Sequence, residues 1–369
     1  MRKTSETVLE IDLDALEHNY EYLRSRLLPS TKFLAVVKAF AYGSDAIFIA
    51  KRLESLGVDY FAVAYVNEGI ELRDAGIKTP ILVLHPQPVN FGVLIDRCLE
   101  PSLYSTTILE LFLKTASEKN QKNYPVHLKF NTGLNRLGFS KNDIDFLYKK
   151  LKSGIELKVL SLFSHLAASE DIKEQDFTLA QIRSFEKICA EFDSRLPFKT
   201  FKHLLNTSGI INYPQAQFDM VRSGIGLHGY GNDNEIDKEL QLVASLKTII
   251  SQIHKIEPNE SVGYNRKFVS KNEQVIATLP IGHADGIGRQ YGNGKTYVSI
   301  NGKKALIIGN VCMDMIMVDI TGIDCKEGDE VVLFGKVLSA NEFAVSANTI
   351  SYELLTGISK RVKRQIIGK

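Results

Sequence analysis

The chain has no tryptophan, and its 369 residues include only four cysteines, five methionines and ten prolines. Cys98, Cys189, Cys312 and Cys325 are widely separated and form no Cys-x-x-Cys pair, which argues against a disulfide framework, a zinc ribbon or a dithiol redox centre. Free thiols in a reducing compartment fit the pattern. No apolar run approaches the roughly 20 residues of a membrane-spanning helix. The N-terminus Met1-Arg2-Lys3-Thr4-Ser5-Glu6-Thr7 meets an acidic residue before any apolar signal-peptide core. A cytoplasmic location is therefore expected. Charge of one sign is also lacking: the formal net charge is +2, with no basic block and no acidic tail, which points away from nucleic acid or an anionic membrane as the main partner. No cluster has metal-ligand spacing, no segment is of low complexity and no internal repeat is present.

What is present is an ordinary globular composition, 44% hydrophobic and 24% charged, in a chain long enough for two domains. Val8 to Leu13 reads as a short strand. Asp14, with Glu17 three residues on, reads as the cap of a helix whose apolar residues include Leu16, Leu23 and Leu27. Strand-like runs then fall at 32–37, 60–64, 80–84, 100–104, 125–130, 157–164, 201–205 and 218–222, separated by helix-length segments such as 46–56, 140–152 and 175–192. Eight strands alternating with helices predict an α/β fold, a closed (β/α)8 TIM barrel. The rival is a doubly wound open sheet, but the glycine-rich fingerprint such a sheet usually carries after its first strand is missing. Beyond Gly231 the alternation stops, and Asn232-Asp233-Asn234-Glu235-Ile236-Asp237 reads as a linker. Runs at 242–256, 274–280, 296–300, 304–309, 315–320 and 330–334, broken by Asn293-Gly294, Asn301-Gly302 and Glu327-Gly328, predict a mainly β C-terminal domain with a late helix across Asn348 to Leu355. The expected domains are residues 1–234 and 235–369, with residues 1–12 able to pack with the second.

Barrels do their chemistry at the carboxyl ends of the strands. Polar residues follow nearly every one here: Lys38 and Tyr42, His85, Tyr104, Lys129 and Arg136, His165, Asn206 and Thr207, and Arg222. Lys38 ends the buried run Leu34-Ala35-Val36-Val37. It reads either as a lysine snorkelling into water or as a partly desolvated amine, neutral often enough to attack a carbonyl and form a Schiff base. Asn206-Thr207-Ser208-Gly209 and Arg222-Ser223-Gly224-Ile225-Gly226 fall after strands seven and eight, where barrels commonly hold phosphate, and their glycines allow close backbone approach.

Lys38-Ala39-Phe40-Ala41-Tyr42-Gly43-Ser44 resembles the cofactor-lysine motif of alanine racemases. The likeness runs from Glu10-Ile11-Asp12-Leu13-Asp14 to Tyr352-Glu353-Leu354-Leu355-Thr356 with Arg361-Val362. It implies a pyridoxal 5′-phosphate enzyme that interconverts L- and D-alanine and supplies D-alanine for peptidoglycan. By resemblance, Lys38 binds the cofactor and serves as one base, and Tyr264, in Ser261-Val262-Gly263-Tyr264, serves as the other. Inversion needs a base on each face of the α-carbon. Tyr42, Asn206, Thr207, Gly224, Ile225 and Tyr352 are implied to hold the cofactor, most of them around its phosphate. Arg222 is implied to face the pyridine nitrogen, and His165 to be linked to Arg222 and to lend Tyr264 a positive neighbour. Arg136 is implied to orient the substrate carboxylate, with Lys129 able to carry a carbamate beside it. Met313 and Asp314, in Val311-Cys312-Met313-Asp314, are implied to reach the substrate pocket. The resemblance also implies a head-to-tail homodimer in which the β domain of one chain closes the barrel of the other.

The chain departs from the family pattern in several places. Phe40 and Ser44 stand where many members have Asn and His, Asn131 replaces Asp, and Ser223 a frequent Pro. His283 replaces a tyrosine and Asn310 a frequent arginine. These bear on access and substrate range rather than on reaction type. A racemase of broader range, acting on serine for example, a decarboxylase on the same fold, a non-catalytic pyridoxal-binding protein and a docking role beside a cell-wall ligase are the competing readings. A decarboxylase would be expected to carry an acid in place of Arg222, and a storage protein would have no need of Tyr264.

Overall fold

The computed structural model describes residues 4–152, 154–195, 199–233 and 235–368. Asn234, the expected end of the first domain, and residues 1–3 of the N-terminal stretch lie outside them. The chain forms two compact units. One comprises Glu17–Ala41 and Ala46–Gln241; the other comprises the chain up to Leu16, Tyr42–Asp45 and the chain from Leu242.

The first strand of the chain, β1 (Val8–Asp12), belongs to the second unit. The barrel unit is a closed ring of β2 (Lys32–Val36), β3 (Tyr60–Val63), β4 (Ile81–Val83), β5 (Glu100–Leu103), β6 (Tyr124–Lys129), β7 (Leu157–Phe163), β8 (Phe201–His203) and β9 (Met220–Ser223). Neighbours run parallel, and β2 closes the ring on β9 with Leu34 opposite Arg222. Strands buried on both faces explain runs such as Tyr60–Val63 and Ile81–Val83, in which every residue is buried. Helices including Ala46–Ser55, Val66–Asp74, Thr106–Glu118 and Gln175–Arg195 cover the outside. Eight of the residues buried on these strands are polar: Glu100, Ser102, His127, Lys129, Ser161, His203, Arg222 and Ser223.

The first helix, Leu13–Ser25, starts earlier than the sequence suggests. Asp12, not Asp14, is its cap, accepting from the backbone N–H groups of Asp14 and Ala15 (3.1 Å each). Glu17 pairs instead with Arg52. Among the described residues no helix is long and apolar enough to cross a membrane.

The second unit is built on a nine-stranded sheet. With β10 (Ala244–Ile249), β11 (Gln252–Ile256), β12 (Ser261–Val262), β13 (Phe268–Val269), β14 (Gln274–Leu279), β15 (Tyr297–Ile300), β16 (Lys303–Ile308), β17 (Ile316–Asp319), β18 (Glu330–Phe334) and β19 (Lys363–Ile367), its order is β11-β14-β17-β16-β15-β18-β10-β1-β19. The run expected at 242–256 is two strands, divided where Ile250 and Ser251 bond to Asp329 and Thr278. The late helix covers Ser351–Gly357 rather than starting at Asn348, whose φ of 57° ends the preceding turn. All four cysteines are free.

Candidate active site

Lys38, just beyond the first barrel strand, stands at the head of an unusual backbone. Ala39, Phe40, Ala41 and Tyr42 all have positive φ (53°, 57°, 48° and 54°), followed by Gly43 at 79°. A left-handed turn of L-residues costs roughly 1–2 kcal/mol per residue, so something must hold it. Glu68 is one latch. Its Oε1 accepts from Ala39 N (2.6 Å), and its Oε2 accepts from Ala64 N (2.7 Å) and Tyr65 N (3.0 Å). Asn is the non-glycine residue that tolerates this region best, so Phe40 sits less easily here than the Asn of many family members. Burial lowers the Lys38 amine below its ordinary value, Arg136 lowers it further and Glu68 opposes them. The desolvation expected of this lysine is present.

Tyr42 and Gly43 are set within the second unit. Tyr42 is buried, its ring centroid 6.0 Å from that of Tyr352, and burial raises its phenol pKa with Tyr352 adding to the effect. Arg364 donates to Gly43 O (2.8 Å), and a Cβ on Gly43 would lie 1.9 Å from Leu355 O. Gly43→Ala is therefore expected to cost about 3 kcal/mol or more. Gly57→Ala, at the similar φ of 82° but with open space around it, should cost about 1 kcal/mol. Denaturant midpoints of the two variants check the difference.

At the barrel's carboxyl end, cations converge on Lys38. Lys129 is buried at the end of β6, and its amine is lowered to about 8 by burial, then by Arg136, Arg222 and Lys38. Arg136 rises from the loop 130–139, which the Phe130–Phe139 bridge closes. Asn131 Oδ1 accepts from the backbone N–H of Gly133 (3.1 Å) and Asn135 (3.0 Å). An acceptor oxygen is all this turn requires, so Asn serves in place of Asp. Arg222 donates to Ser164 O (2.6 Å), Leu204 O (2.9 Å), His203 Nδ1 (2.6 Å) and His165 Nδ1 (3.3 Å). Its link to His165 is as expected, but the charge on His165 is not. Burial, then Arg222, Arg136, Lys129 and Lys38, hold this imidazole well below its ordinary pKa. That direction runs against the positive neighbour the resemblance implies for Tyr264. His85 and Tyr104, also expected at the rim, form a row of tilted rings with Tyr65, the Tyr65–His85 and His85–Tyr104 centroids lying 5.8 and 5.7 Å apart.

The loops after β8 and β9 meet as expected. Thr207 Oγ1 lies 2.9 Å from Ser223 Oγ and accepts from Gly226 N (3.3 Å). A Cβ on Gly226 would fall 2.5 Å from Thr207 Cγ2, so only glycine permits this approach. Gly224 and Ile225 open the following single turn. Asn206 caps the helix Thr207–Asn212 through Gly209 N (2.9 Å) and accepts from Ser169 Oγ (2.8 Å). Asn206 therefore shapes the loop with its side-chain oxygen.

The second unit carries the remaining candidates. Tyr264 is 70% exposed and lines a cavity of about 1090 Å3 together with Cys312, Met313 and Asp314. Asn310 donates to Tyr264 O (3.0 Å) and accepts from Asn293 (3.2 Å), so this departure from the family pattern holds the tyrosine's backbone. The Cys312–Asp314 loop is pinned by His283 N to Cys312 O and Ala284 N to Met313 O (3.0 Å each). Arg361 joins Asp285 (2.7 and 3.0 Å) to Asp314 (2.6 Å). Among the described residues no group of three or more His, Cys, Asp or Glu is placed to hold a metal ion.

Sequence reasoning missed Glu68, the Asn310 contact and the Arg361 clamp. Glu68 had a faint signal, an acid in the first turn of the helix after the second barrel strand. The other two depend on contacts far apart in the chain and left none.

Two family models match: alanine racemase, N-terminal domain, over residues 11–232, and alanine racemase, C-terminal domain, over residues 243–366. The chain is similar to alanine racemase 2 of Caldanaerobacter subterraneus subsp. tengcongensis, 36% identical over 97% of this chain and 94% of that protein. Among solved structures it is similar to the alanine racemase of Clostridium difficile 630 (TM-score 0.92, 33% identity, covering 99% of this chain and 97% of the other). It is also similar to that of Bacillus anthracis with bound L-Ala-P (TM-score 0.91, 28% identity, 100% and 96%).

Proposed function

The chain belongs to the alanine racemase family, and from that premise we propose that it interconverts L- and D-alanine with pyridoxal 5′-phosphate as cofactor. The observation that carries this reading is the lowered Lys38 amine among Arg136, Lys129 and Arg222. Cations that depress one another call for an anionic guest, and an amino acid carried on a phosphorylated cofactor is one. The residues present fit the cofactor: Thr207 and the tight Gly226 approach offer a phosphate cradle, and Arg222 offers a ring partner. Bound there, pyridoxal phosphate would supply an aldehyde for the amine and a ring to spread the negative charge left at the α-carbon.

The chain's own groups then have distinct tasks. Lys38, with a raised neutral fraction, holds the cofactor and takes or returns a proton on one face. Tyr264 does the same on the other. Arg222 donates hydrogen bonds and accepts none, so a pyridine nitrogen set against it gains a bond and no proton. The electron sink stays weak, which disfavours transamination. Arg136 orients the substrate carboxylate. Lys129, with a pKa of about 8, has enough neutral amine to attack carbon dioxide, forming an N–C bond, releasing a proton and placing a carbamate beside Arg136. Met313 and Asp314 accompany Tyr264 on one cavity wall. In the proposed head-to-tail homodimer that wall closes the partner's barrel. A cytoplasmic role supplying D-alanine for peptidoglycan follows.

The test is deuterium wash-in at the α-carbon of each alanine enantiomer in heavy water, with and without pyridoxal phosphate, followed by chiral analysis. Cofactor-dependent exchange with inversion from both enantiomers is expected. Cofactor binding with no exchange from either would overturn the reading, and faster exchange of serine would reassign the substrate.

A further inference from the structure

Arg222 is a buried cation with no carboxylate bonded to it among the described residues. A carboxylate does stand at the other end of a chain of hydrogen bonds across the barrel. Glu100, at the start of β5, lies 2.7 Å from His127 Nε2 on β6. His127 Nδ1 lies 2.6 Å from Ser161 Oγ on β7, and that oxygen lies 2.9 Å from His203 Nε2 at the end of β8. His203 Nδ1 then meets Arg222 Nη1 on β9 at 2.6 Å. Five consecutive strands contribute one residue each. His127, Ser161 and His203 are fully buried, and Phe163 stacks on the His203 ring (4.7 Å, 7°), fixing its plane.

The protons in this chain can be placed by inventory. An arginine has no acceptor, so His203 Nδ1 must accept and its proton lies on Nε2. That proton goes to Ser161 Oγ. The serine proton then has one acceptor left beside it, His127 Nδ1, so His127 carries its proton on Nε2 and gives it to Glu100. The carboxylate end demands the same polarity as the arginine end. Burial, Arg222 and then His127 also hold His203 well below its ordinary pKa, consistent with one ring proton.

We propose that Glu100 is a positioning residue for the reaction, acting on Arg222 through His127, Ser161 and His203 as one polarised wire. The arrangement gives Arg222 a counter-charge at a distance. A carboxylate paired directly with it would take up the guanidinium donors and offer a proton acceptor near the ring nitrogen. Three neutral groups between the charges avoid both effects while orienting the guanidinium. The consequence for catalysis rests on the pyridoxal reading above; the proton positions do not.

The experiment is 15N solid-state NMR of the [15N]histidine-labelled full chain, with and without pyridoxal phosphate, the two rings being assigned by His127→Asn and His203→Asn. Both rings are expected to be protonated at Nε2 alone, in either state of loading. In Glu100→Gln the signals of His203 as well as His127 should move, and kcat should fall about tenfold with KM changed less than about twofold. Ser161→Ala, which cuts the wire and leaves the charge, should cost the same, and the double variant no more than either. An Nδ1 proton on either ring, a Glu100→Gln effect confined to His127 with kcat unchanged, or losses that multiply in the double variant would each overturn the proposal. Should Glu100→Gln fail to fold, the wild-type tautomers and Ser161→Ala still decide. Expected tautomers in a protein that takes up no pyridoxal phosphate would instead refute the cofactor reading and leave the wire standing.

Discussion

Replacing Lys38 with Ala is expected to abolish the visible absorbance of bound pyridoxal phosphate and the racemisation of alanine together. The side chain is assigned two tasks, holding the cofactor and moving a proton, and general acid–base catalysis alone is worth up to about 10,000-fold. A fall in kcat of at least that size is expected. Lys38→Arg should be as inactive, because a guanidinium keeps the charge and the reach but never becomes a neutral base. Neither change should unfold the protein. Lys38 is only partly buried just beyond the first barrel strand, and the left-handed turn after it is held by Glu68 through the backbone of Ala39. Denaturation midpoints within about 0.5 kcal/mol of the parent would show this. Activity retained by Lys38→Ala without an added amine would place the attachment point elsewhere.

The features legible in the sequence were those written in local pattern. Buried runs ending in polar residues gave each barrel strand to within a few residues, because strands covered on both faces have no polar alternation to confuse the reading. The convergence of Lys38, Lys129, Arg136 and Arg222 followed from the barrel, which brings the ends of distant strands to one face. What stayed hidden was set by protonation and by the interior. His165 was recognisable as a partner of Arg222, but its charge depends on burial and on four surrounding cations. Glu100, His127, Ser161 and His203 sit inside strand runs, where a polar residue looks like an interruption of the core until a neighbouring strand pairs with it. The left-handed turn at 39–42 had no glycine to announce it before Gly43, since Glu68 and not residue type stabilises its entry. Asp14 is the cap read from the sequence, and only the pairing of β1 with β10 and β19 decides that the helix begins earlier, capped by Asp12.

Tyr264→Phe is expected to uncouple the two faces of the α-carbon. The equilibrium constant between enantiomers is 1, so kcat/KM for racemisation must fall by the same factor in both directions, by about 100- to 10,000-fold for the loss of one general acid–base group. Exchange without inversion is under no such constraint. With Lys38 intact, D-alanine should still wash in solvent deuterium at its α-carbon and return as D-alanine, whereas L-alanine, whose proton faces the tyrosine in this assignment, should exchange far more slowly. The phenyl ring keeps the cavity wall shared with Met313 and Asp314, and Asn310 still holds the backbone carbonyl of residue 264, so the loss is one of chemistry rather than of shape. Because burial and the surrounding cations lower the His165 pKa, His165→Gln should leave this face-selectivity intact. Equal and small losses of exchange from both enantiomers in Tyr264→Phe would mean that the second base is another residue.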